Sequence, residues 1–270
     1  MPELPDVEVL RRYLQSTALH HEITDVDLRA EALLEETQPE RLSGALVGQQ
    51  FESTRRHGKY LFVALDGGDW LVLHFGMTGD LKYFEDPDQD PEYDRLLLQF
   101  ANGYHLAYIA PRKLGEVDVI DKPEDLIQDR GLGPDVKDPD FTLETFKQLL
   151  GSRRGMIKTA LMDQQLMAGI GNVYSDEILF QARIHPRTKV KDLDGQKLEE
   201  LYQTMNGVLD TAIDCQAIPG RLPDSYLTPQ HHQGGVCPLC GETVQRVKVG
   251  GRSAYYCPNR QGQEPGGDGG

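Results

Sequence analysis

The sequence predicts an α+β chain of two domains: a β-sandwich with flanking helices, then a helical domain ending in a small cysteine module. Three observations predict it. Short strand-like runs joined by glycine turns fill the first half, helical periodicity replaces them in the second, and three of the four cysteines lie near the C-terminus. At 270 residues and 39% hydrophobic, the chain has apolar side chains enough for two cores.

A first helix is expected over residues 5–15. Pro5 suits the first turn, Asp6 and Glu8 suit the dipole, and Val7, Leu10 and Leu14 share one face. Strands are expected over residues 23–28, 60–65, 70–75, 81–84, 95–100, 104–109 and 117–120. Asp66-Gly67-Gly68-Asp69 and Ala101-Asn102-Gly103 read as hairpin turns. Many short strands with tight turns suggest a sandwich. The stretch around 129–135 is polar and turn-rich and reads as a linker. Helices follow over 141–150, 156–167, 173–182 and 198–213, and residues 217–235 read as a loop. The expected domains are 1–127, a linker 128–142, 143–230, a cysteine module 231–262 and a disordered tail 263–270.

Net charge is −15, which taken whole argues against nucleic acid. Its distribution argues the other way. Residues 243–263 hold Arg246, Lys248, Arg252 and Arg260 without an acid. Residues 151–162 hold Arg153, Arg154 and Lys158 without an acid, and Arg55, Arg56 and Lys59 form a third basic knot. Three such stretches in an acidic chain suggest an anion-binding surface. No apolar run reaches the roughly 18–20 residues of a membrane span, and the start lacks a basic-then-apolar leader pattern. A cytoplasmic protein without a membrane partner is expected.

Several short stretches carry chemistry. Met1-Pro2-Glu3 runs straight into the first helix; without Met1, Pro2 offers a secondary amine beside a carboxylate. Such an amine can attack an aldehyde-level carbon while Glu3 handles a proton. Ala168-Gly169-Ile170-Gly171-Asn172 joins two helices, with Asn172 expected as N-cap, and a helix start binds phosphate. An ordinary turn explains the same residues. Met77, in His74-Phe75-Gly76-Met77-Thr78-Gly79, and Arg112 and Leu114, in Pro111-Arg112-Lys113-Leu114-Gly115, follow strands and could insert into a ligand. Cys237-Pro238-Leu239-Cys240 and Cys257-Pro258-Asn259-Arg260 have the layout of a zinc ribbon whose fourth cysteine is Arg260. Either another ligand, with His231 and His232 as candidates, completes the three cysteines, or the metal is lost.

Together these stretches, with Gly58-Lys59-Tyr60, Leu132-Gly133-Pro134 and Val249-Gly250-Gly251-Arg252, resemble the formamidopyrimidine-DNA glycosylase / endonuclease VIII family of bifunctional repair enzymes. The likeness runs from Met1 to about Gln261. It implies a helix–two-turn–helix DNA-binding domain over 143–230, a zinc-finger-like β-hairpin in the last module, and damaged double-stranded DNA as the partner. DNA would lie in the cleft between the lobes with the lesion flipped out, bound by a monomer associated with the nucleoid. By similarity Pro2 attacks C1′ and Glu3 acts as acid. Lys59, Asn172 and Arg252 hold phosphates, with Lys158 a further DNA contact. Met77, Arg112 and Leu114 fill the void left by the flipped nucleotide. Zn2+ on Cys237, Cys240 and Cys257 is the family's cofactor, and Arg260 departs from its ligand set. The implied activity is excision of an oxidised base with β/δ-elimination. The alternative is a lesion-binding module that has lost turnover.

Overall fold

The computed structural model describes residues 2–151 and 153–262, so the expected tail 263–270 lies outside the described residues. The chain divides into two compact units, Met1–Gly131 and Leu132–Gly270.

The first unit opens with α1 (Leu4–Thr17), β1 (Ile23–Leu28) and α2 (Pro39–Leu46). Then come β2 (Phe51–His57), β3 (Tyr60–Leu65), β4 (Trp70–His74), β5 (Asp80–Phe84), β6 (Asp94–Phe100), β7 (His105–Ile109), β8 (Glu116–Ile120) and α3 (Pro123–Asp129). Two four-stranded antiparallel sheets form, in the orders β1-β6-β7-β5 and β2-β3-β4-β8. Side chains alternate across each strand. Leu61, Val63, Leu71, Leu73, Val117 and Val119 meet Leu81, Leu96, Leu98, Phe100, Leu106 and Tyr108 in one core, closed by Val7 and Leu14 of α1. Each such side chain, fully buried, contributes roughly 1.5–3 kcal/mol. On the other face of the second sheet, Phe62 and Val72 pack under Leu126 of α3. The expected sandwich is therefore what forms.

Of this unit's α-helices and strands, three escaped the sequence reading. The edge strand β2 reads Phe-Glu-Ser-Thr-Arg-Arg-His, and only Phe51 of it is buried. Edge strands carry charge because their open side would otherwise pair with another chain. The other two, α2 and α3, are short and begin with proline. Each buries little (Leu42 and Leu46 in the first, Pro123 and Leu126 in the second), so their apolar periods are brief.

The second unit contains α4 (Leu143–Gly151), α5 (Ile157–Met162), α6 (Asn172–Gln181), α7 (Gly195–Asp214), β9 (Gln245–Val249), β10 (Arg252–Tyr256) and α8 (Pro258–Gln261). Leu132–Val136 does not run free. Gly133 donates to Gln164 O, Ala168 to Pro134 O and Val136 to Ala168 O, which stitches the segment onto the α5–α6 connection. A Cβ on Gly133 would lie 2.6 Å from the Leu166 carbonyl, so this close approach requires glycine. The expected helix over 156–167 stops at Met162, where Asp163 accepts from Gln165 N–H and starts a turn. Every residue of α6 from Tyr174 to Phe180 is buried, so this helix is the axis of the unit. Among the described residues no helix is long and apolar enough to cross a membrane.

Candidate functional site

Glu3 is the N-cap of α1 and has 1% of its surface exposed. Its backbone N–H donates to Asp6 Oδ2 at 2.9 Å, and its carboxylate accepts from the Asp6 backbone N–H. This reciprocal capping box fixes the chain entry and the Glu3 side chain together. Pro2 precedes it, half-buried. The helix start, with its partial positive charge, opposes protonation of an amine placed at Pro2.

Burial pushes the Asp6 carboxyl up to about 6, and the neighbouring Glu3 charge adds to the rise. A raised acid pKa means the folded state holds the proton more tightly than the unfolded chain. The associated stability is fully present below the ordinary value of 3.8 and is lost as pH rises through about 6. Asp6→Asn, which still accepts the Glu3 N–H, is thus expected to unfold at higher urea than wild type near pH 8, by up to about 2 kcal/mol. The two proteins converge below about pH 4.

The start of α1 is tied to the turn that carries Lys59. Arg56 on β2 donates to Glu8 Oε2 at 3.4 Å and to Gly58 O at 3.2 Å, and Glu8 also binds Arg11 at 2.8 Å. Gly58 has φ +56 and Lys59 completes the two-residue β2–β3 turn, 8% exposed. On the neighbouring strand, His74 packs against Tyr60 with ring centres 4.8 Å apart and ring planes tilted by 32°. Burial brings the His74 imidazole down to about 4, with the Lys59 and Arg130 charges acting in the same direction. The ring is therefore neutral at pH 7.

The two loops expected to enter a ligand lie together. Gly76 has φ +54, and a Cβ there would sit 2.2 Å from Leu114 O, so the 75–79 turn rests directly on the 110–115 loop. Tyr108 Oη donates to His74 O at 2.8 Å beneath them. From this base Met77 (41% exposed), Leu114 (52%) and Arg112 project to the surface. Met77 and Leu114 lose apolar burial by standing there, as side chains that fill a partner do.

In the second unit, Asn172 is the first residue of α6 and not its cap; Gly171 takes the cap position. The expectation for Lys158 also needs correction. It is wholly buried, with Nζ 2.6 Å from Asp176 Oδ1, 2.9 Å from Ser175 Oγ and 3.0 Å from Asn172 O. A buried ammonium must be paired inside the fold, so it has no reach to a phosphate outside. Lys158 instead fixes the backbone of Asn172. Of the third basic knot, Arg56 is committed to Glu8 and Arg55 pairs with Glu124.

Asp176 went unnoticed in the sequence, yet it joins the helices to the hairpin. Its Oδ2 accepts from the Tyr255 backbone N–H at 2.9 Å and meets His231 Nε2 at 2.8 Å. Arg187 adds bonds to Lys248 O at 3.2 and 3.3 Å. At the tip, Gly250 (φ +55) and Gly251 (φ +79) make a two-residue turn between the paired Val249 and Arg252. Positive φ at both central positions is what this tight turn demands. Arg252 is thereby presented, exposed, at the first position of β10.

Cys237, Cys240 and Cys257 gather with their sulfurs within 4.8 Å of one another and could hold a metal ion. Neither histidine joins that group: His231 is bound to Asp176 and His232 is exposed. A closed structural zinc site takes four ligands. The described residues supply three, and the guanidinium of Arg260 has no lone pair to give. This donor set does not fit a closed zinc site.

Three family models match the chain: the formamidopyrimidine-DNA glycosylase N-terminal domain over 1–117, the H2TH domain of the same enzymes over 132–221, and a zinc finger found in FPG and IleRS over 234–259. The last match stops one residue before Arg260. A formamidopyrimidine-DNA glycosylase of Streptococcus pyogenes is 35% identical over 98% of this chain and all of its own length. One from Chloroflexus aurantiacus is 34% identical over 97% of this chain and 98% of its own. Among solved structures, the Lactococcus lactis enzyme bound non-covalently to DNA containing an AP site superposes with a TM-score of 0.86 at 28% identity, covering 97% of this chain and 100% of that one. MutM in complex with DNA carrying a carbocyclic 8-oxo-G gives 0.87 at 29% identity, with the same coverage.

Proposed function

This chain belongs to the formamidopyrimidine-DNA glycosylase family and is a DNA glycosylase of base-excision repair; from that premise we propose that Pro2 is its nucleophile and Glu3 its acid. With Met1 removed, the neutral Pro2 nitrogen attacks C1′ of the damaged nucleotide. The bond from C1′ to the base breaks, and the base leaves with the electron pair and takes up a proton. Glu3 gives its proton to O4′ as the sugar ring opens, which leaves C1′ joined to the nitrogen as an iminium. Loss of a C2′ proton expels the 3′ phosphate, and a second elimination expels the 5′ phosphate. Water then hydrolyses the iminium, which breaks the N–C1′ bond, frees the Pro2 amine and releases the sugar fragment as an aldehyde. Glu3 regains its proton from solvent, so the cycle closes without a redox or group-transfer cofactor.

Glu3 carries this reading: a carboxylate 1% exposed, held in a capping box next to Pro2, suits proton transfer to a sugar bonded to the Pro2 nitrogen. The exposed Met77, Arg112 and Leu114 suit the space left by an everted nucleotide. Lys59, Asn172 and Arg252 suit phosphates around it. Incubation with a duplex carrying one formamidopyrimidine lesion is expected to release the base and nick the strand in the same reaction. Base release without a nick would remove Pro2 from its role.

The phosphate contacts have their own test. Arg252→Ala and Lys59→Ala are each expected to weaken duplex binding regardless of sequence and to lower the slope of log K against log salt by about 0.9. An unchanged slope with unchanged affinity contradicts the assignment of that residue.

A further inference from the structure

We infer that the cysteine module keeps its fold without a metal ion, because Arg260, Gln261 and Asn259 close the corner that a fourth thiolate would close. The module's three thiols are one ligand short of a closed zinc site among the described residues, as shown above. What stands at the missing corner is an attachment of a different kind. The Arg260 guanidinium lies over the ring of Phe180, 5.2 Å from its centre. Phe180 is fully buried on α6 and belongs to the same apolar cluster as Cys237, Cys257, Val244 and Leu227. A cation on a buried aromatic face is held by the ring quadrupole. Arg260 Nε is buried with no hydrogen-bond partner among the described residues, so the ring contact is what holds the side chain.

The next residue completes the closure. Gln261, 6% exposed, accepts from the Cys257 backbone N–H at 2.9 Å and donates to Ile184 O at 2.8 Å. Both bonds are buried, and together they fasten the second cysteine knuckle to the helical body. Asn259 Nδ2 donates to Glu242 Oε2 at 3.2 Å, which links the second knuckle to the first. The first knuckle is held in turn by Cys237 N–H to Glu242 O at 2.7 Å and Gly241 N–H to Cys237 O at 2.9 Å. Further along, Asp176 and Arg187 hold β10 and β9. In a metal-dependent module the ion is the crosslink between the knuckles. Here side chains of this chain supply that crosslink, and Cys237 and Cys257 serve as small buried packing groups while Cys240 is exposed.

The module folds in this way whichever lesion the enzyme removes. Its test uses the full-length protein, produced with zinc in the medium, and two readouts: metal per chain by elemental analysis, and thermal unfolding with and without a strong chelator. Wild type is expected to carry well under one zinc per chain and to unfold at the same temperature with chelator. Arg260→Ala is expected to unfold about 2–4 °C lower. Arg260→Cys, which restores a four-thiolate set, is the control expected to take up zinc and to become chelator-sensitive. Near-stoichiometric zinc in wild type with a drop in unfolding temperature on chelation overturns the inference, whether the fourth ligand comes from 263–270 or elsewhere. So does an Arg260→Ala protein as stable as wild type.

Discussion

Glu3→Gln is expected to lower base excision by about 10²–10⁴-fold while duplex binding stays within a factor of a few of wild type. The substitution is clean for a structural reason. Glutamine keeps a carbonyl that can accept the Asp6 N–H, so the N-terminal cap of α1 persists and only the transferable proton is lost. An N-terminal extension is the matching change at Pro2. It converts the ring nitrogen to an amide, whose lone pair is delocalised, and it should reduce strand cleavage by at least about 10³-fold. Single-turnover cleavage of a lesion duplex measures both. If Glu3→Gln lost binding and cleavage in equal measure, the carboxylate would be a scaffold group and the acid would lie elsewhere.

Lys158→Ala is the second large effect, and it falls on stability. Removing Nζ leaves the Asp176 carboxylate buried with this ion pair gone, and takes away one of the two donors to Asn172 O, the other being Ser175 Oγ. Breaking such a buried pair costs about 3–5 kcal/mol, a large fraction of the stability of an ordinary domain. Urea denaturation should show the loss directly. Asp176 also receives Tyr255 N–H, so the same variant is expected to loosen the β9–β10 hairpin, readable as faster hydrogen exchange at Tyr255. The competing expectation from sequence, a surface lysine on a phosphate, gives the opposite pattern. Stability would be unchanged and the salt slope of DNA binding would fall by about one unit.

Lys158 also shows where the sequence was silent. Helical periodicity located α6 through Tyr174, Ile178 and Ala182, but an amphipathic pattern assigns one face to the core and the rest to solvent. This helix is buried on every side from Tyr174 to Phe180, so Asp176 and its partner Lys158 are interior groups. Only the packing of neighbouring elements could reveal that. The basic stretches misled for a related reason: a charge count cannot tell Arg56, held by Glu8, from Arg252, exposed on a hairpin. What was legible was local chemistry. Short apolar runs at β3 and β4 on either side of Asp66-Gly67-Gly68-Asp69 marked a hairpin of the sandwich, and Pro5 and Asp6 marked a helix start. The exposed Met77 and Leu114 came from short motifs whose glycines set the two loops back to back. Strand β2 was missed because an edge strand needs charges where a central strand needs apolar residues.

The central claim is that the Pro2 nitrogen becomes bonded to C1′ of the damaged nucleotide. Sodium borohydride reduces an iminium to a stable amine, so trapping on a duplex with a single abasic site, followed by proteolysis and mass mapping, reads the bonded atom directly. The expected result is a stoichiometric adduct on the peptide that begins at Pro2, absent from the protein with an N-terminal extension. An adduct on a lysine peptide, or none at all from a protein that still nicks the duplex, would contradict the claim.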